Sequence, residues 1–433
     1  MKKTKLFVSA AAISMVAALS LTGCGGGGDK NAAESDNTIT VWAWDVALKQ
    51  LQASAEKFKE THPDVEFQFE EMGTEQIYTK LATTLNTGKG LADVILLEGE
   101  QVSGYASKYP DGFADLSDIV NKDDYLPVKI GEVTVNDKVV GFPWDAGPVA
   151  LFYRTDYFEQ AGVNPEDIKT WDDFIEAGKK VTATCKTPSG EPVKMLPIAP
   201  NGSNFWKLLL TEKGAGYFDA EGNTAVNSPE ALECMEMAKK IYDADIALNY
   251  TDWAEYEGVV VNQSVATIPE AVWMIGTIKD KGPDQSGKWA IVNMPKLDGI
   301  DGATNYANCG GASWAVSSNC KNTELAFDFL KSTFGSSVEL YDDLLPNAGA
   351  ISSYLPAAES DVYNQPSEFY GGQTVYKDIV EFAGKVPAFD CGAYYSDVRS
   401  ALTDAVTNIV QNNADIDSEM QNAQDTVEFN IAG

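Results

Sequence analysis

The sequence predicts an α/β fold built on an open sheet, and three features of its first hundred residues carry that prediction. Ile39-Thr40-Val41-Trp42-Ala43-Trp44 reads as a strand, and the helix after it places Leu48, Leu51, Ala55 and Phe58 at steps of three, four and three. His62-Pro63-Asp64 turns the chain, Val65, Phe67 and Phe69 alternate as in a second strand, and Ile77, Leu81 and Leu85 mark a second helix closed by Gly88 and Gly90. Ala92-Asp93-Val94-Ile95-Leu96-Leu97 is then a compact apolar run, the pattern of a strand covered on both faces. Strand and helix in strict alternation open a sheet with helices packed on it.

A second set of signals starts after Asp145. Leu151-Phe152-Tyr153 reads as a strand before a turn at Arg154-Thr155-Asp156, and helices are predicted from Trp171 and from Asn204. Phe218 to Val226 reads as a tight hairpin, and Pro229 suits the first turn of a helix, where its missing N–H has no partner to lose. Val265 to Ile268 is predicted as a strand ending at Pro269, with a helix starting at Glu270. Ser313-Trp314-Ala315-Val316 is another strand, Glu324 opens another helix, and Tyr395, Val398, Leu402, Ala405 and Ile409 form one late helical stripe.

The amino terminus is a leader. Lys2, Lys3 and Lys5 precede an apolar stretch over residues 6–21, marginal in length for a membrane span and running into Leu21-Thr22-Gly23-Cys24. Those four residues resemble the lipobox of bacterial lipoproteins, in which the cysteine is diacylated and the chain is cut before it. The glycines at 25–28 and the polar residues to about Asn37 read as a flexible tether. The remaining length suffices for two ordinary domains.

Asp and Glu number 64 against 32 Lys and Arg, a formal charge of -32. Nucleic acid is an improbable partner for such a surface, because its binding depends on a basic footprint. The sole histidine, His62, is expected exposed in its turn, which removes histidine triads and histidine-rich metal sites. Cys185, Cys234, Cys309, Cys320 and Cys391 are expected as buried free thiols, with a Cys309–Cys320 bridge as the alternative. No G-x-S-x-G elbow, dinucleotide loop or phosphate loop occurs, and no metal or cofactor is expected.

Behind the lipobox, this order of elements is similar to the extracellular solute-binding proteins of ABC importers, in the sugar-binding group that includes the maltose-binding protein. The resemblance rests on Val41-Trp42-Ala43-Trp44-Asp45, Gly73 to Leu81 and Ala92-Asp93-Val94-Ile95. It continues through Gly141-Phe142-Pro143-Trp144-Asp145-Ala146-Gly147-Pro148, Phe152-Tyr153-Arg154, Trp171-Asp172-Asp173-Phe174 and Trp314-Ala315-Val316. It implies two discontinuous α/β lobes, a hinge crossed three times and a ligand cleft at that hinge, the type II periplasmic-binding-protein-like fold. By that similarity the crossings fall near Val149, Gly311 and Ser353, dividing the chain into 38–149 plus 312–353 and 150–311 plus 354–433.

In open α/β sheets ligands lie beyond the carboxyl ends of strands. Trp44 and Asp45, Glu98 and Glu100, Trp144 and Asp145, and Trp273 all occupy such positions. A sugar has apolar C–H faces that pack on aromatic rings and a hydroxyl rim that needs carboxylates, amides or cations. Each candidate also has a structural reading: Asp45 as a helix cap, Trp42 and Trp44 as core rings, Glu98 and Glu100 as solvated. Family similarity makes Trp273 a cleft aromatic and gives that role to one of Tyr394 and Tyr395, with Tyr394 preferred. Asn204 with Trp206, and Gln76 at a helix start, complete the set.

The resemblance thus implies a monomeric, lipid-anchored carbohydrate receptor on the outer face of a bacterial cytoplasmic membrane. Its partners would be a small-molecule saccharide, ABC permease subunits and, through acylated Cys24, the bilayer. Gly25 after the cysteine points to a Gram-positive cell. Competing readings are a secreted glycoside hydrolase or lyase using a carboxylate pair, a receptor for a cationic ligand such as a polyamine, and a surface adhesion module.

Overall fold

The computed structural model describes residues 37–432 except 220, 221, 300, 301, 349, 388 and 390; the leader, Cys24 and the tether before Asn37 lie outside the described residues. Strand β1 (Thr38–Ala43) pairs in parallel with β2 (Glu66–Glu71) on one side and β3 (Val94–Glu98) on the other. Helix α1 (Asp45–Lys59) connects β1 to β2 and α2 (Thr74–Thr87) connects β2 to β3, with Gly88 closing α2 in the left-handed conformation. The α1 stripe is buried at Leu48, Leu51, Ala55 and Phe58. Each large apolar side chain so buried contributes about 1.5–3 kcal/mol, which is what holds the helix to the sheet.

Later chain completes this sheet. Ala312–Val316 runs antiparallel beside β3, with Ala312 opposite Glu98, and Phe142–Pro143 forms the far edge. The core beneath it draws on residues between Ile39 and Trp144 and again between Ala312 and Ala357. A second body centres on the strand Val149–Arg154, flanked antiparallel by Thr267–Ala271 and Trp289–Val292. Its largest core joins that strand to helices at 171–184, 204–213, 229–243, 395–412 and 416–432.

Segments passing between the two bodies lie side by side. Asp145–Ala146 pairs with Ile351–Ser352, and Pro148 bridges Asn308. Trp144 N–H donates to Ala312 O (3.2 Å), Ser353 N–H to Trp144 O (3.0 Å) and Cys309 N–H to Gly147 O (2.8 Å).

Three expectations need correction. Pro269 sits inside its strand opposite Leu151, an arrangement open to proline because the strand is at the sheet edge. Glu270 therefore belongs to the strand, and the helix starts at Met274 with Trp273 as its cap residue. His62 is half-buried rather than exposed, its ring stacked on Phe58 at 4.0 Å and its Nε2 3.3 Å from Asp328 Oδ2. The cysteines of the described residues form no disulfide, as expected, but Cys309 and Cys320 are half-buried rather than buried.

Candidate ligand-binding site

A cavity of about 410 Å³ opens where the carboxyl ends of β1 and β3 meet the crossing segments and the second body. That volume is typical of small-molecule sites. A larger groove of about 710 Å³, between Asp172 and Ile416, holds no aromatic ring and is spanned by exposed pairs such as Lys240–Asp172. It offers nothing to orient a ligand.

The first wall grows out of the five-stranded sheet. Trp44 follows β1 as the N-cap residue of α1 and reaches the cavity, half-buried against the core. Asp45 is the first residue of α1, so it is not the cap; its side chain lies outside the described residues. Glu98 ends β3, and its Oε2 accepts from Tyr78 Oη at 2.9 Å. Burial raises the Glu98 carboxyl above its ordinary range, with the Tyr78 hydroxyl opposing. Gly99 and Glu100 open helix α3 (Gly99–Lys108), and Gly99 N–H donates to Gly311 O at 2.9 Å.

The floor is the hinge itself. Trp144 lines the cavity, but its ring is buried, with Nε1 donating to Gln50 Oε1 at 2.6 Å and Trp314 6.2 Å away. Asp145 Oδ1 accepts from Ala312 N–H at 2.6 Å. Burial pushes the Asp145 carboxyl up to about 6 against the opposing pull of Lys129. Lys129 and Glu132, on helix α4 (Pro127–Val133), form a buried ion pair beneath. Two glycines make room for it: a Cβ on Gly99 would collide with the Glu132 carboxylate, and one on Gly311 would lie 3.0 Å from Lys129 Nζ. Gly311 also has φ +95, a conformation costly for any other residue.

The second wall comes from helices. Asn204 and Lys207, on helix Asn204–Lys213, face the cavity, and Lys207 Nζ pairs with Glu100 across it. Burial alone would raise the Glu100 carboxyl, but the Lys207 ammonium and the Tyr395 hydroxyl hold it below its ordinary range. Tyr395 Oη donates to Glu100 Oε2 at 2.5 Å, and Arg399 lies one turn further along helix Tyr395–Asn412. Trp273 and Val272 close this side. A chamber of about 40 Å³ shares Asn204, Lys207 and Cys309 with the cavity; there Glu270 accepts from Tyr256 Oη at 3.1 Å.

Trp44, Glu98, Trp144, Asp145, Asn204 and Trp273 are thus brought together, and three other candidates are not. Trp206 is a core ring, stacked on Tyr217 with centroids 6.0 Å apart and donating from Nε1 to Ala231 O at 2.9 Å. Gln76 is exposed, and its side chain accepts from Gly73 N–H (3.2 Å) in a helix-capping role. Tyr394 is 39% exposed at the start of its helix, away from the cavity. The preference for Tyr394 over Tyr395 fails because the inward stripe of that helix begins at Tyr395. Lys207, Arg399 and Gly310 went unread in the sequence, and Cys309 and Gly311 were read only as a buried thiol and a crossing point; only Lys207, a lone charge within Phe205-Trp206-Lys207-Leu208-Leu209-Leu210, left a visible signal.

Comparison with known proteins is consistent with this geometry. Residues 44–334 match the family described as bacterial extracellular solute-binding protein. The lactose-binding protein of Rhizobium radiobacter is 32% identical over 374 residues, covering 84% of this chain and 86% of that one. The arabinooligosaccharide-binding protein of Bacillus subtilis (strain 168) is 26% identical over 342 residues, 77% of each chain. In fold, the chain resembles the ABC transporter associated binding protein of B. animalis subsp. lactis Bl-04, solved with β-1,6-galactobiose. The TM-score is 0.74 at 24% identity, over 90% of this chain and 96% of that one. Two α/β bodies joined by adjacent crossing strands, with a cavity at the junction, are the architecture of that fold. The chain belongs to the bacterial extracellular solute-binding proteins.

Proposed function

We propose that this protein is the carbohydrate receptor of an ABC importer, capturing a neutral mono- or oligosaccharide and presenting it to permease subunits. The observation that carries the reading is the composition of the hinge cavity. Trp44, Trp273 and Tyr395 supply rings for sugar C–H faces, while Glu98, Glu100, Asp145, Asn204, Lys207 and Arg399 supply acceptors and donors for the hydroxyl rim. The names of relatives that bind lactose and arabinooligosaccharides point the same way. Carboxylates outnumber cations on this lining, which disfavours phosphorylated or acidic sugars.

The lobes are read as about 38–149 plus 312–353 and 150–311 plus 354–433, a division that the make-up of the two main cores supports except at Val149, Tyr354 and Ala357, which pack in the core of the other lobe. A ligand touching both lobes favours the closed arrangement by differential contact, and closure is the signal a permease reads. Diacylated Cys24 holds the receptor as a monomer at the outer face of a Gram-positive cytoplasmic membrane.

No chemical step is expected. Glu98 is held by Tyr78, Glu100 by Lys207 and Tyr395, and Asp145 by the Ala312 N–H, so each carboxylate already has a fixed partner. Calorimetric titration against lactose, β-1,6-galactobiose, arabinobiose and maltose, with spermidine as the cationic control, tests the reading. At least one saccharide should bind at micromolar affinity or tighter, about -8 kcal/mol or beyond. Hydrolysis on prolonged incubation, or binding of spermidine alone, would overturn it.

A further inference from the structure

Trp253 is the one tryptophan among the exposed large hydrophobic side chains of the described residues, at 52% exposure. A single exposed apolar residue is ordinary. This one is not isolated, because its ring centroid lies 5.6 Å from that of Trp273 in the cavity wall and 5.4 Å from that of Tyr256. Tyr250 continues the group 4.6 Å from Tyr256. The four rings form one chain, Trp273–Trp253–Tyr256–Tyr250, which joins the cavity lining directly to the exposed Trp253 and then continues to the small chamber.

The mount of Trp253 is rigid. It is the first residue of helix Trp253–Val261, whose N-cap Asp252 accepts from Glu255 N–H at 2.8 Å. The Glu255 carboxylate in turn accepts from both the N–H and the hydroxyl of Thr251, each at 2.8 Å. The Asp252 cap satisfies an amide of the first turn, and Glu255 ties that turn to the residue before the cap, so the start of the helix is held from both sides. A large ring held in that way loses little conformational freedom when something packs on it, the property that makes tryptophan effective at binding surfaces.

We propose that Trp253 is an outer saccharide platform, receiving the second or later sugar unit of a neutral oligosaccharide whose first unit rests against Trp273. The site then extends from the hinge cavity onto the surface of the second lobe, and the preferred ligand is longer than a monosaccharide. This rests on the reading of the cavity as a carbohydrate site. The competing role for Trp253 is a cover over Tyr250 and Tyr256, which would affect stability and every ligand alike.

The test is calorimetry on the purified protein with two matched series, arabinose to arabinotriose and galactose to lactose. In the series that binds, wild-type affinity should rise with chain length. Trp253→Ala should erase that rise, weakening the longest saccharide about tenfold, the scale of a tryptophan interface contact, and the monosaccharide less than twofold. Trp253→Phe should keep part of the gain. Quenching or a blue shift of tryptophan emission on binding the longest saccharide should shrink in Trp253→Phe. Equal losses along the series, no loss at all, or a wild-type affinity independent of length would overturn the platform while leaving the cavity reading intact. Absence of saccharide binding by the wild type would overturn both, and Trp273→Ala separates the cases by weakening every member of the series.

Discussion

The two walls of the cavity carry different chemistry and are built differently. The wall from the five-stranded sheet and hinge offers carboxylates, Glu98, Glu100 and Asp145, at strand ends or just beyond them. The opposite wall offers Lys207 and Arg399 on helices, with Trp273 and Tyr395 as its rings. Acid faces base across the gap, and the pair Glu100–Lys207 already spans it. A receptor with such walls has an electrostatic reason to close, and its ligand has to compete for or join that contact rather than supply all of it.

Breaking the contact from the second wall should have the largest effect. Lys207 and Glu100 are almost wholly buried, so Lys207→Met leaves a carboxylate without its partner in a dry place. Loss of one member of a buried pair costs about 3–5 kcal/mol. Denaturant unfolding should show most of that loss in Lys207→Met, and Glu100→Gln/Lys207→Met should recover a good part of it. An unchanged unfolding midpoint in the single variant would mean the walls are not coupled through this pair.

Two tryptophans of the second body give the next contrast. Trp206 lies in the core, so Trp206→Ala should cost about 3–5 kcal/mol of stability. Trp273 is only partly buried at the cavity edge. Trp273→Ala should leave the unfolding midpoint within about 1 kcal/mol and weaken saccharide binding by about tenfold or more, on the scale of a buried anchor. Reversal of the two outcomes would exchange their roles.

The same contrast explains how much was legible in the sequence. The first wall was readable because a strand in a covered sheet has a fixed direction, so residues at its carboxyl end are delivered to one place: Trp44, Glu98 and Asp145 all reach the cavity. A helix instead presents residues about 100° apart to different neighbours, and packing alone decides which of them meets the ligand. Trp206 and Lys207 are adjacent, yet one enters the core and the other the cavity. Tyr394 and Tyr395 divide in the same way, and the periodic stripe from Tyr395 through Val398 and Leu402 carried that information. Nothing local could have shown that Gly99 and Gly311 clear space for Lys129 and Glu132, because those contacts join segments far apart in the chain.

The tyrosine pair sharpens the comparison at smaller scale. Tyr395→Phe removes a donor to Glu100 and should cost about 1–2 kcal/mol of stability, visible in the unfolding midpoint. Tyr394→Phe, at an exposed position, should change that midpoint by less than about 0.5 kcal/mol. Similar shifts in both would mean that Tyr395 does not link the walls.

The smallest expected effect concerns the floor, where pH tests whether the acid wall must be ionised. The Asp145 carboxyl, raised by burial to about 6 despite Lys129, takes up its proton in the folded protein at a pH where an unfolded chain remains ionised. Folding therefore binds the proton, and this group makes stability rise as pH falls from about 6 towards 4, opposite to a salt-bridged carboxylate. If saccharide hydroxyls donate to ionised Asp145, binding takes the other direction: affinity is flat near neutrality and falls below about pH 6, by at most tenfold per pH unit for one proton. The groups facing Asp145 are Lys129 and Glu132 from below, Tyr341 from the core, and Glu98, Glu100, Lys207 and Arg399 across the cavity. Among them the Glu98 and Glu132 carboxyls are also raised and titrate in the same direction. Asp145→Asn separates these contributions, because it removes one titration while keeping an acceptor for the Ala312 N–H. Its affinity should be severalfold lower at pH 7.5 and change less than the wild type between pH 7.5 and 5. A profile as steep as the wild type would move the titrating group to Glu98, placing the ligand's hydroxyl contact at the end of β3 and not at the hinge.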